Sequence, residues 1–167
     1  LIGATGLVLA FPMAGFAAGG TLDKIRAAGT VTVGTEAAFP PFEFVDESGQ
    51  IVGYGKDILD VVVQELGVKL NQLDLPWQGI LPGLLAGNFD FVATTVSINE
   101  ERAKKYAYTA PIANGQPYVL VRKGEATETE DGLAGKIVGT QLASSAEPIA
   151  RALDERLKGA GEGFAEL

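Results

Sequence analysis

The 167-residue chain has no cysteine and no histidine. Without cysteine there are no disulfides, thiolate zinc sites, iron–sulfur clusters or thiol nucleophiles. Without histidine the commonest general base and the commonest metal ligand are also missing. Basic residues are in deficit, with 13 Lys+Arg against 21 Asp+Glu and a net charge of −8. That balance argues against a nucleic-acid partner, whose phosphates call for a basic face. Much enzyme chemistry is thereby excluded, and a binding role gains weight. What remains is ordinary globular composition, 47% hydrophobic and 20% charged, neither disordered nor fibrous.

Charge is also absent locally. Leu1 to Leu22 contains no ionisable side chain, and Leu7-Val8-Leu9-Ala10-Phe11 is apolar. Small residues follow, Ala14-Gly15-Phe16-Ala17-Ala18-Gly19-Gly20. An apolar core before a small-x-small site is the pattern of a secretory signal peptide, with cleavage expected near Ala17. Pro12 and four glycines interrupt the stretch, which suits a signal peptide better than a membrane anchor of about 20 apolar residues. The expectation is a partial signal peptide over 1–18, entered without its initiator Met and basic segment. No cysteine stands at the cleavage site, so lipid attachment there is ruled out.

The rest alternates strand and helix patterns. A short helix over Leu22–Ala28 precedes the β-branched strand Val31–Thr35. Phe42–Val45 and Gln50–Tyr54 flank Asp46-Glu47-Ser48-Gly49, whose turn chemistry predicts a hairpin. Ile58, Leu59, Val62, Val63 and Leu66 have the spacing of an amphipathic helix over Lys56–Leu66, which Gly67 should end. Val68–Leu75 alternates as a strand. Trp77, Ile80, Leu81, Leu84 and Leu85 form a helical stripe. Asp90–Val96 reads as a buried strand, and Asn99 as the cap of a short helix reaching Lys105. Tyr118–Val121 and Lys136–Thr140 read as further strands, Glu125–Gly132 as a charged loop between them, and Ala146–Lys158 as a helix. This is an α/β pattern with a largely parallel sheet. After Gly132 one strand and one helix are too little to cover a sheet on both faces, so a second, unfinished unit is expected there.

Five segments, in order from about Thr21 to Lys158, carry a resemblance. Gly34-Thr35-Glu36-Ala37-Ala38-Phe39-Pro40-Pro41-Phe42-Glu43-Phe44 resembles the opening of the periplasmic amino-acid-binding proteins of ABC importers. Gly53-Tyr54-Gly55-Lys56-Asp57-Ile58 is similar to that family's helix entry, and Trp77-Gln78-Gly79-Ile80-Leu81-Pro82-Gly83-Leu84 to its cleft-side helix. Ser97-Ile98-Asn99-Glu100-Glu101-Arg102-Ala103-Lys104 resembles its Ser-Ile-Thr-x-x-Arg signature. Gly139-Thr140-Gln141-Leu142-Ala143-Ser144-Ser145 resembles its second-lobe Gly-Val-Gln-x-Gly-Thr-Thr loop. The resemblance implies a two-lobed α/β architecture, with a first lobe over 19–116, a hinge crossover strand over 117–123 and a truncated second lobe over 124–167.

It also implies roles. Arg102 would grip a ligand α-carboxylate, a task suited to the paired donors of a guanidinium. It follows an Asn99 cap, where the helix dipole disfavours a cation and a bound anion would compensate. Thr94, Thr95 and Ser97 would meet the ligand at the carboxyl end of a strand, where open α/β sheets collect ligands. Ser144 and Ser145 would offer an anion site at the start of the last helix, a position equally suited to capping. Phe39 and Trp77 would sandwich the ligand side chain, although Trp77 also fits the apolar stripe of its helix. Glu36 would meet an ammonium or a polar side chain. Ala143 and Asn99 depart from the family's usual glycine and threonine. The implied protein is a periplasmic, monomeric receptor without cofactor or metal, which hands a polar amino acid to a membrane permease. Other readings are a sensor lobe of a receptor or cell-wall enzyme, and a dehydratase with Glu36 as its only evident acid–base group.

Overall fold

The computed structural model describes residues 19–125 and 127–167. The signal-peptide expectation therefore lies outside the described residues. Helix α1 (Thr21–Ala28) leads into β1 (Thr30–Thr35), and Gly29 makes the turn at φ 65°, in the left-handed region open to glycine. The strands β2 (Ala38–Phe39), β3 (Glu43–Val45) and β4 (Ile51–Val52) form a small antiparallel sheet. Its hairpin turn is organised by Asp46, whose carboxylate accepts from the Ser48 amide, the Ser48 hydroxyl and the Gln50 amide. These bonds hold the Asp46 pKa below its ordinary value, the Gln50 amide contributing most.

Helix α2 (Tyr54–Leu66) ends at Gly67, φ 66°, as its spacing predicts. Then come β5 (Lys69–Asp74), α3 (Trp77–Leu85), β6 (Phe91–Val92) and α4 (Glu100–Ala103). β5 and β6 flank β1, both parallel to it, with Val31 opposite Leu70 and Val33 opposite Phe91. The core sits beneath this sheet: Ile25, Val31, Val33 and Leu59 are buried, with Val63, Val68, Leu70, Phe91 and Ala93 packed against them. Phe89 wedges between β1 and α3. A Cβ on Gly34 would stand 2.7 Å from its ring and one on Gly83 2.8 Å, so both glycines are there for close approach.

The remaining chain carries a 3₁₀ turn at Glu130–Leu133, anchored by buried Leu133, and α5 (Ala146–Ala160). Several expectations are corrected. The strand expected over Asp90–Val96 pairs only at Phe91 and Val92, because the chain is drawn off beyond Ala93 by side-chain bonds described below. Tyr118–Val121 forms no strand; Tyr118 is 85% and Leu120 94% exposed, and β-branched residues build a strand only where another strand pairs with them. Lys136–Thr140 is reduced to one parallel bridge, Ile137 with Glu166, for the same reason. The stripe on α3 also sits differently. Trp77, Ile80 and Gly83 are buried while Leu85 is 63% exposed, because the Phe89 wedge takes the face that Gly83 leaves open.

Candidate functional site

The carboxyl end of β1 is fastened before it turns away. The buried Thr35 hydroxyl donates to the Ala93 carbonyl at 2.9 Å and accepts from the Gln72 side-chain carboxamide at 2.9 Å. Asp74, closing β5, accepts from the Ala37 amide at 2.9 Å. Between these anchors stands half-buried Glu36, at the strand end where parallel sheets present ligands. Its Oε1 accepts from the Gln141 carboxamide at 2.8 Å.

Across β6, α4 begins at Asn99, whose Oδ1 accepts from the Arg102 amide at 2.9 Å, the cap its sequence implies. The cap sets Arg102 in the first turn with its guanidinium folded back. One terminal nitrogen donates to the Ser97 carbonyl and the other to the Ala143 carbonyl, each at 3.0 Å. The guanidinium carbon lies 5.3 Å from the centre of the Trp77 ring, a cation–π stack. Ser97 reaches further, its hydroxyl 3.1 Å from that of Ser145. The structure thus gathers Glu36, Ser97, Arg102, Trp77 and Ser145, with the 141–145 loop closing against Glu36, Ser97 and Arg102. A cavity of about 520 Å³ beside them takes in Ser97, Asn99, Pro117, Ser145 and Ile149.

Four expected residues sit otherwise. Phe39 is 51% exposed and stacks on Phe42, ring centres 5.8 Å apart, rather than facing Trp77. Thr94 and Thr95 turn to Glu43 rather than to an open space. Thr94 Oγ1 donates to Glu43 Oε1 at 2.6 Å, Thr95 Oγ1 to Oε2 at 3.1 Å, and the Thr95 amide to Oε1 at 2.6 Å. Ser144 accepts from the Glu147 amide at 3.3 Å and so caps α5.

Three participants escape the sequence reading of the site. Glu43 is 2% exposed, and only its place between Phe42 and Phe44 on an alternating strand hinted at a face of its own. Gln141 and Ala143 lie in the second-lobe motif without a side-chain role, and the departure of Ala143 from the family's usual glycine was the one signal that its backbone matters. Ala143 has φ 60°, a left-handed conformation unusual for alanine, and both its peptide groups are used. Its amide donates to Glu147 Oε2 at 2.6 Å and its carbonyl accepts from Arg102. Arg151 and the Ala143 amide together hold the Glu147 carboxyl below its ordinary pKa, Arg151 contributing most. Tyr108 completes the surroundings of Arg102. Its hydroxyl is buried without a partner among the described residues, and burial raises its pKa against the opposing pull of the Arg102 charge.

Chemically, the site offers a fixed guanidinium, an aromatic face, one carboxylate and several hydroxyls. That set suits a small zwitterion. The sequence matches the bacterial extracellular solute-binding proteins, family 3, over residues 31–159. It is 35% identical over 146 residues to the L-cystine-binding protein TcyJ of Escherichia coli, covering 86% of this chain and 55% of that protein. To the glutamate/aspartate import solute-binding protein of Salmonella typhimurium it is 32% identical, over 85% of this chain and 49% of the other. Among solved structures, an ancestral amino acid-binding protein, a precursor of cyclohexadienyl dehydratase, superposes with a TM-score of 0.78 at 32% identity, covering 88% of this chain and 64% of its own. The Gly52Ala mutant of the arginine-bound arginine-binding protein of T. maritima gives 0.67 at 31% identity, covering 87% and 67%. The chain thus spans about half the length of the two relatives named first.

Proposed function

Since the chain belongs to the bacterial extracellular solute-binding proteins of family 3, we propose that it captures a polar amino acid for an ABC importer. In this reading Arg102 receives the α-carboxylate, Trp77 backs the guanidinium, and Glu36 meets an ammonium or a polar side chain. Ser97 and Ser145 add hydroxyls from the two sides, and Ser144 contributes through the start of α5. Phe39, stacked on Phe42, and Thr94 and Thr95, bonded to Glu43, make no direct ligand contact in this reading. The observation that carries the reading is the Arg102 guanidinium, held by two carbonyls and stacked on Trp77. Such a group is oriented before the ligand arrives, which lowers the entropy lost on binding.

Residues 19–116 form the first lobe in this proposal, 117–123 the hinge and 124–167 the start of the second lobe. Closure about that hinge traps the ligand, which a membrane permease then receives at the outer face of the inner membrane. No bond is made or broken. A sensor lobe would use the same cleft without a permease.

The test is a thermal-shift screen of the full-length protein against the common amino acids. A ligand at a hundred times its Kd that binds only the folded state adds about 2.7 kcal/mol of stability. A shift with one chemical class names the substrate. No shift with any amino acid rejects the proposal, and turnover of a hydroxylated cyclic acid would turn it toward a dehydratase.

A further inference from the structure

Glu43 is the odd residue of the first α/β unit: a carboxylate only 2% exposed on the short strand β3. A buried carboxylate costs several kcal/mol unless its oxygens are satisfied. Here they are satisfied by one short segment. Thr94 Oγ1 and the Thr95 amide reach Oε1 at 2.6 Å, and Thr95 Oγ1 reaches Oε2 at 3.1 Å. Room for Oε2 is made on the opposite side by Gly55, in the first turn of α2, where a Cβ would come within 2.8 Å of it. The carboxylate therefore also lies near the positive end of a 13-residue helix.

The segment it holds leads straight to the site. Two residues beyond Thr95, the Ser97 carbonyl accepts from Arg102, and Arg102 stacks on Trp77. We propose that Glu43 is a positioning residue for ligand binding, which acts through Thr94 and Thr95 to fix the Ser97 carbonyl and thereby the Arg102 guanidinium. Glu43 need not touch the ligand. It converts the rigid junction of β3 and α2 into a fixed register for residues 94–97. The effect on affinity rests on the amino-acid-binding reading above, whereas the effect on Arg102 does not.

The variant Glu43→Gln keeps the volume and replaces one acceptor by an NH₂ that faces donors. Trp77 is the only tryptophan of these 167 residues, so with any tryptophan outside them replaced by phenylalanine its emission reports on the guanidinium above it. In the full-length protein without ligand, Glu43→Gln is expected to move Trp77 emission in the same direction as Arg102→Ala, while far-UV circular dichroism stays at wild type. Titration with L-arginine, L-cystine and L-glutamate is expected to show Kd weakened about ten-fold for whichever of them the wild type binds. Adding Glu43→Gln to Thr95→Val is expected to weaken Kd by less than the sum of the two single losses, since both variants act on the same three bonds to the carboxylate. Unchanged emission, unchanged Kd or additive losses in the double variant would overturn the proposal. If the wild type binds none of the three, the amino-acid reading suffers, and the ligand-free emission still decides on Glu43. Should Glu43→Gln not fold, the Thr95 amide resonance of the ¹⁵N-labelled wild type decides. A shift on saturation with the bound amino acid supports the proposal, and no shift rejects it.

Discussion

A guanidinium has five N–H donors, and the two carbonyls beneath Arg102 engage only its two terminal nitrogens, once each. The donors left over are what a ligand carboxylate would use. Arg102→Lys retains the charge, yet an ammonium cannot offer a planar pair of donors or stack on Trp77 in the same way. It is expected to weaken amino-acid binding by about ten-fold or more in isothermal titration, with Arg102→Ala abolishing it and both folding normally. An unchanged Kd for Arg102→Lys would show that only charge matters here. Ala143 makes a separate residue-scale prediction. Its left-handed φ costs an L-residue roughly 1–2 kcal/mol, whereas the greater freedom of glycine when unfolded costs about 0.5–1 kcal/mol. Ala143→Gly is therefore expected to raise stability by up to about 1.5 kcal/mol, read as a higher urea midpoint at constant m.

Among the elements, α3 and α5 carry the clearest consequences. Phe89 fills the gap between β1 and α3 because Gly34 and Gly83 have no Cβ. Gly34→Ala is expected to cost about 1–3 kcal/mol through overpacking in urea denaturation. It would also displace α3 and with it Trp77, so a change in tryptophan emission should accompany the loss. At α5 the prediction concerns pH. Glu147 accepts from Arg151 and from the Ala143 amide, and its carboxyl is held below the ordinary value of 4.5. A lowered folded-state pKa gives stability that is present above the unfolded value and lost as pH falls through the folded one. The loop at Ala143 should thus loosen as pH drops below about 4.5. Glu147→Gln is expected to make the acid limb of the stability curve shallower, measured by thermal melts between pH 3 and pH 7.

On the scale of the molecule, helix limits and the parallel core were legible in the sequence because their causes are local. The 3.6-residue spacing in Lys56–Leu66 and the glycines at 29 and 67 each act on their own few residues. The Asn99 cap was legible for the same reason. Strands beyond the core were not, since a strand needs a partner; Tyr118–Val121 has the composition without the pairing, and its residues stand exposed. Site residues divide along the same line. Arg102, Glu36, Ser97 and Ser145 had roles implied by their motifs, whereas Glu43 shares the motif of Glu36 but claims both threonines across 51 and 52 positions. Gln141 meets Glu36 across 105. Short-range spacing and backbone chirality thus determined the α/β order, the helix ends and the motif that carries the guanidinium. Only the tertiary structure decided which hydroxyls are already spoken for, which aromatic ring backs the cation, and where a buried carboxylate lies, because those depend on contacts between segments far apart in the chain.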